Sequence, residues 1–519
     1  MFPSWTQRPP PLPAACLDEW LATLVERDPQ ALALSWRDPT LNGSTWETLS
    51  RAELARQVAR CTHQLVNVHG LRSGQRVAWL GLNHPAMLVL LLALARCGGI
   101  LVPLNHRLSP AEWQAVLADC RPALLVHDTL FATAAHGLAS LVPPLPQEAL
   151  TDPSSGPSDD RATASRDGLA PLLLVYTSGT TGLPKAAVHT EANLLANMAI
   201  AGQVQGMDER DTVLTVLPLF HVGGLCIQTL PALSVGAHVR LFARFDAAAT
   251  LECIARDRPT LTLQVPATLK ALTEHAQWAA TDLSSLRTVW AGSSLLPPAP
   301  LAAFHGRGVP VSNVYGSTET GPFSIALPPE HAQSHAGSCG WPAPGVEVRL
   351  RDGSGDAVGT GAVGEICVRG PNVVRHYWPE RPACDAEGFF HSGDLGLQAP
   401  DGSYTVVGRA KDMVISGGEN IYPAEIENLL LQHPLVADCA VLGQADARWG
   451  EVVAAVLVLH TAADAGDEWV ASLQAFLDGR LARYKWPRRW LRVQALPKTA
   501  LGKVQKAALK TLLDAPAAE

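Results

Sequence analysis

The sequence predicts an α/β fold: a large N-terminal domain of two doubly wound α/β subdomains plus a small β-barrel-like layer, followed by a small α+β C-terminal domain. Three observations carry this. Strand-like and helix-like runs alternate over residues 17–130 and again over 171–315, which argues for parallel, doubly wound sheets. The stretch 151–170 (TDPSSGPSDDRATASRDGLA), rich in Ser, Asp and Pro, reads as an exposed connection between the two runs. From about residue 340 the chain changes to short β-like pieces, and near residue 408 it changes again to a compact α+β unit.

In order, residues 17–27 have helical spacing, and 47–68 form a longer amphipathic run. Residues 76–82 (RVAWLGL) are strand-like, and 84–97 read as a buried helix stopped by Gly98 and Gly99. A strand at 100–104, a helix at 110–120 and a strand at 123–127 complete the first unit. After the connection, 171–175 (PLLLV) is a short apolar strand. The second unit then runs helix 191–204, strand 212–217, helix 224–233, strand 238–242, helix 247–256, strand 261–265, helix 267–275, strand 288–291 and strand 311–315. Short strands at 347–351, 364–368, 389–397 and 404–407 make the β-rich layer. The last unit holds a strand at 413–416, a helix at 423–432, strands at 437–442 and 452–459, a helix at 467–483 and a final helix from 504. These changes place domains at 1–408 and 413–519, joined at 409–412.

Composition excludes several classes. Hydrophobic residues make up 47 % of the 519 and charged residues 17 %, which supplies several cores and argues against general disorder. The net charge of −8, with no Lys/Arg block, gives no reason to expect a nucleic-acid partner. Ten cysteines without CxxC spacing offer no metal motif, and with no secretory signal they predict a reduced, cytoplasmic protein. The opening MFPSWTQRPPPLP lacks the basic and apolar regions of a signal peptide, and the Leu-rich run 86–95 is too short to span a bilayer.

The most informative stretch is 176–185, YTSGTTGLPK. It holds five hydroxyl side chains, two glycines and a lysine between apolar strand-like runs. Gly179 and Gly182 let backbone amides approach a ligand, the hydroxyls add donors, and Lys185 adds positive charge. Together they make an anion cradle suited to phosphates. A flexible linker rarely sits tightly between strands. A Walker A loop needs Gly-Lys-Ser/Thr in succession, and here Leu183 and Pro184 separate Gly182 from Lys185.

Four more polar islands follow: 217–225 (LPLFHVGGL), 313–321 (NVYGSTETG), Ser392-Gly393-Asp394, and 408–427 (GRAKDMVISGGENIYPAEIE), with 497–503 (PKTALGK) near the end. In this order and spacing they resemble the adenylate-forming superfamily of acyl- and aryl-CoA synthetases, peptide-synthetase adenylation domains and firefly luciferase, from about residue 17 to 510. The resemblance implies a two-step reaction. A carboxylate attacks the α-phosphate of ATP to give acyl-adenylate and pyrophosphate, and a thiol, usually that of coenzyme A, then displaces AMP. Neither step needs a protein nucleophile, so positioning and charge stabilisation carry the catalysis.

The resemblance also implies roles. Thr177, Ser178, Gly179, Thr180, Thr181, Gly182 and Lys185 would hold the β- and γ-phosphates; Ala186 stands where many members have Gly. Tyr315 and Gly316 would lie on adenine, Thr318 would contact the α-phosphate, and Glu319 would hold Mg2+. Asp394 would accept from both ribose hydroxyls, with Arg409 reaching ribose or phosphate. Lys411 sits at the hinge, and Lys503 would bridge carboxylate and α-phosphate, with Lys498 and Lys506 as plain surface charges. The C-terminal domain would rotate between the two steps. Coenzyme A would pass Gly417, Gly418 and Trp449 and reach Tyr484, although Trp486 and Arg488 follow where some members place two basic residues. Each residue also has a structural reading: Tyr315 a core aromatic, Glu319 a helix N-terminal charge, Asp394 a turn residue, Lys411 a surface lysine, His221 a packed histidine.

The acid pocket would be lined by His221, Val222, Gly223, Gly224, Ala291, Gly292, Ser293, Gly321, Pro322 and Phe323. These are small and mostly apolar, and no cation faces a second carboxylate. The expected acid is an aromatic or medium-to-long aliphatic monocarboxylate. A ligase loading a carrier-protein phosphopantetheine and a non-catalytic nucleotide-binding scaffold remain as alternatives, and a homodimer is compatible with the sequence.

Overall fold

The computed structural model describes residues 5, 9–41, 45–152, 168–177, 185–292, 296–416, 419–446, 448–460, 468–498 and 504–514. Two large sheets dominate it. One has eight strands, in spatial order 381–382, 376–377, 185–190, 171–177, 100–103, 76–80, 124–127 and 144–146. Its strands from Pro171–Thr177 outward are parallel, and Lys185–Thr190 returns antiparallel as a hairpin around the cradle loop. The other has nine strands, with a parallel centre running 311–315, 288–292, 261–264, 212–215, 238–242 and 32–37 and antiparallel pieces at both edges.

One continuous apolar core joins the two sheets. The helix Pro85–Cys97 shows why. Eleven of its thirteen residues are buried, so it is apolar all round and fits between packed layers rather than at a surface. The His84 side chain caps its start and Gly98, at φ 72, ends it in the left-handed conformation. A second core lies on the outer face of the eight-stranded sheet, around Trp113, Leu117 and Val142.

The β-rich layer is an open antiparallel sheet of four strands, 347–351, 363–369, 390–398 and 404–409, rather than a barrel. Residues 414–514 build a separate five-stranded sheet, with cores around Val441, Val453 and Leu473 on one face and Leu442, Val456 and Leu509 on the other.

Four departures from the expected elements stand out. Residues 47–50 are a strand, and the helix starts at Arg51 behind the Ser50 cap. The alternating run Leu32–Arg37 was not expected as a strand; it pairs with His238–Phe242 and Glu47–Ser50, contacts distant or invisible to local pattern. The helix expected over 467–483 ends at Leu477, and Arg489–Arg492 adds an unexpected parallel strand beside Gly450–Leu459.

Candidate active site

Two of the polar islands, 217–225 and 313–321, follow parallel strands of the nine-stranded sheet at the same end. Thr212–Thr215, Leu261–Gln264, Thr288–Gly292 and Val311–Tyr315 all release their chain on this side, the usual location of ligands in open α/β sheets. Thr177 and Lys185 bracket the cradle as register partners, with the Thr177 hydroxyl donating to the Lys185 carbonyl at 3.3 Å. The Lys185 ammonium lies 5.5 Å from the centre of the Tyr377 ring. Tyr377 in turn donates from its hydroxyl to Glu319 Oε1 at 2.9 Å. This links the cradle of one sheet to the 318–320 turn of the other.

That turn is held tightly. A methyl group at Gly316 would sit 1.7 Å from the Pro322 carbonyl oxygen, so the loop closes only over glycine. The Asn372 amide donates to the Thr320 and Phe323 carbonyls at 2.8 and 3.0 Å, and Val374 N–H donates to the Glu319 carbonyl at 2.8 Å. Thr318 is buried. Beneath it lies His189, whose ring burial drives its pKa down to about 4. Residues 370–377 (GPNVVRHY) carry no motif, and so Asn372 and Tyr377 escaped sequence reasoning; a lone Asn in an apolar run was their one signal.

A second cluster forms at the β-rich layer. Asp394 and Arg409 are register partners on adjacent strands, and Arg409 Nε lies 3.0 Å from Asp394 Oδ1. The Tyr315 hydroxyl donates to Asp394 Oδ2 at 2.9 Å. Burial, and then the Asp394 charge, push the Tyr315 phenol well above its ordinary value, so it stays a donor. Tyr315, Asp394 and Arg409 therefore come together, with Asp394 largely shielded and Arg409 half-exposed.

His221 precedes a π-helical segment, Gly223–Thr229. The Gly223 N–H donates to His221 Nδ1 at 3.0 Å, which places the neutral ring's proton on Nε2. Gly224 presses on backbone: a methyl there would lie 2.3 Å from the Pro218 carbonyl oxygen. Gly292 is equally tight, at 2.4 Å from the Val314 carbonyl oxygen. Val222, Ala291, Gly321, Pro322 and Phe323 are also buried. Trp290, which the sequence reading missed, is buried with its ring 6.0 Å from that of Phe323.

In the C-terminal unit, Lys411 is exposed in the turn Ala410–Asp412. Lys506, expected as a plain surface charge, instead lies 3.6 Å from Asp412 and 3.7 Å from Glu427. Lys498 pairs with Asp438 at 2.5 Å. The guanidinium groups of Arg448 and Arg488 lie 4.9 and 4.5 Å from the Trp449 ring centre, and Tyr484 is exposed. Ser178, Gly179, Thr180, Thr181, Gly182, Ser293, Gly417, Gly418 and Lys503 lie outside the described residues.

A family model for AMP-binding enzymes matches residues 21–378, and one for the AMP-binding enzyme C-terminal domain matches residues 425–503. The chain belongs to the AMP-binding enzyme family. It is 41 % identical to an indoleacetate–CoA ligase of Aromatoleum aromaticum over 513 residues, covering 96 % of this chain and 98 % of that protein. It is 40 % identical to a feruloyl-CoA synthase of Amycolatopsis, covering 94 % and 97 %. The structure of the o-succinylbenzoate–coenzyme A synthetase of Bacillus subtilis with ATP and magnesium ion superposes with a TM-score of 0.83 at 31 % identity, covering 95 % and 99 %. This AMP-binding enzyme is therefore an AMP-forming acid–thiol ligase that uses ATP, Mg2+ and coenzyme A to convert a carboxylate to its CoA thioester. Among the described residues, no helix is long and apolar enough to cross a membrane.

Proposed function

We propose that this ligase activates an aromatic monocarboxylic acid. The observation that carries the proposal is the buried ring pair Trp290 and Phe323, set among glycines too tightly packed to bear side chains. Flat rings and small neighbours favour a flat ligand. That two relatives are named for indoleacetate and ferulate supports the same choice.

The residue roles follow the same reading. The cradle 177–185 holds the pyrophosphate end of ATP, Tyr315 and Gly316 the adenine, and Asp394 with Arg409 the ribose. Glu319, its Oε1 already held by Tyr377, is an oxygen donor of the kind Mg2+ takes, and would hold the ion beside the phosphates, where it supplies charge neutralisation. Thr318 contacts the α-phosphate, and His221 presents Nε2–H toward the acid's carboxylate. Lys503 bridges carboxylate and α-phosphate in the first step.

The domains divide at 1–408 and 413–519, with Lys411 in the hinge 409–412, and the smaller one turns between the two steps. Coenzyme A then runs past Gly417, Gly418 and Trp449 toward Tyr484. The Arg448 and Arg488 guanidinium groups beside Trp449 support this route, as they offer cations to the nucleotide end. The ten free cysteines support a cytoplasmic location. CoA-dependent AMP release, measured over benzoates, arylacetates, cinnamates and fatty acids, tests the proposal. Aromatic acids are expected to exceed fatty acids of equal carbon number in kcat/KM. The reverse order would overturn it.

A further inference from the structure

Tyr377 stands outside the polar islands of the sequence, yet its side chain touches two groups given roles toward MgATP. Its short strand, His376–Tyr377, pairs antiparallel with Lys185–Thr190, with Tyr377 opposite Ala187. Lys185 stands two residues before Ala187 and so shares its face of the strand. A diagonal neighbour of this kind is within reach of a ring and a long side chain. The Lys185 ammonium accordingly lies 5.5 Å from the Tyr377 ring centre. The next residue pins the strand, since Trp378 N–H donates to the Ala186 carbonyl at 2.8 Å.

The far end of the side chain reaches the other large sheet. The phenol donates to Glu319 Oε1 at 2.9 Å. Burial first, and then the Glu319 charge, push this phenol above its ordinary value, so it stays protonated and remains a donor. The backbone of the same segment holds Glu319 too, because Val374 N–H donates to its carbonyl at 2.8 Å. Residues 374–377 therefore grip Glu319 at its main chain and at one carboxylate oxygen. Outer partners of this kind orient metal ligands and tune their basicity. Lys185 and Glu319 carry opposite charges, and pairing with each other would occupy both. Tyr377 gives each a separate partner, its ring for the ammonium and its hydroxyl for the carboxylate.

We propose that Tyr377 is a positioning residue of the first step: its hydroxyl fixes the orientation in which the Glu319 carboxylate takes Mg2+, while its ring face holds the Lys185 ammonium ready for the phosphates. This rests on the reading above that Glu319 holds the ion and Lys185 the phosphates, and gives the two a shared support.

The test is calorimetric titration of the full chain with ATP, once with excess Mg2+ and once with a chelator, in the wild type, Tyr377→Phe and Glu319→Gln. The wild type is expected to bind MgATP more tightly than metal-free ATP. Tyr377→Phe keeps the ring and removes the hydroxyl. Its preference for MgATP is expected to shrink about ten-fold, the lower end of what losing an outer partner of a metal ligand costs. Its affinity for metal-free ATP is expected to stay unchanged, which also reports that the variant folds. Pyrophosphate release should then need about ten-fold more Mg2+ for its half-maximal rate, with KM for the acid unaltered. A preference unchanged in Tyr377→Phe but lost in Glu319→Gln overturns the proposal. So does equal weakening of both nucleotide forms in Tyr377→Phe, which is what a packing role alone produces. A preference that is absent in the wild type, or untouched by Glu319→Gln, overturns the reading of Glu319 as the metal holder and the proposal with it.

Discussion

Single residues show which contacts make the site. Asp394 accepts from Tyr315 and pairs with Arg409, so its carboxylate is held rigid, and the proposed role gives it two donors on the ribose. Asp394→Asn keeps the shape and removes the charge. Hydrogen bonds to charged groups are worth about 1.5–3 kcal/mol, which predicts a rise of roughly ten-fold or more in KM for ATP with little change in KM for the acid. Steady-state kinetics with each substrate varied in turn would check this. Such residues were legible because they stand in polar islands where a sequence otherwise runs apolar. Tyr377 and Asn372 were not. Each bonds residues distant in sequence, and nothing in GPNVVRHY marks the partners. Trp290 was passed over because a tryptophan in a strand reads as core, which it also is.

Elements were legible where local signals agree. Leu17–Arg27, Pro110–Cys120 and Glu191–Val204 carry side-chain caps and lie where the sequence places them. Leu32–Arg37 escaped because its identity as a strand depends on pairing with residues two hundred positions away. One strand pair also yields a pH dependence. His391 on 390–398 bonds Glu365 on 363–369 at 2.9 Å and Asp385 at 3.2 Å, and the Glu365 bond, then Asp385, raise its pKa. A raised folded value means the charged form is favoured by folding. The contribution is complete below the unfolded value of about 6.5 and is lost as pH climbs through the raised folded value. Amide exchange at the paired residues Cys367 and His391, corrected for intrinsic rate, is predicted to lose protection across that window. His391→Gln should show no such pH step. The effect is modest, because the ring is 41 % exposed and solvent screens the pairs.

At the scale of the molecule, two sheets share one core and bring Lys185 from one and Glu319 from the other to the two sides of Tyr377. The C-terminal unit has its own cores and is tied to the joining turn by Lys506 and Asp412. The order of units was legible from texture alone, since the connection 151–170 and the change at 408 are compositional. The open shape of the β-rich layer was not, because whether a sheet closes depends on which edges pair. The central claim is that one lysine from the smaller unit serves the first step and not the second. Lys503→Ala tests it by separating the half-reactions: pyrophosphate release from ATP and acid, and thioester formation from supplied acyl-adenylate and coenzyme A. The account predicts a fall of at least a hundred-fold in the first, of the size seen when one donor to developing charge is removed (about 2.7–4 kcal/mol), with the second largely intact. Equal losses in both half-reactions would contradict it.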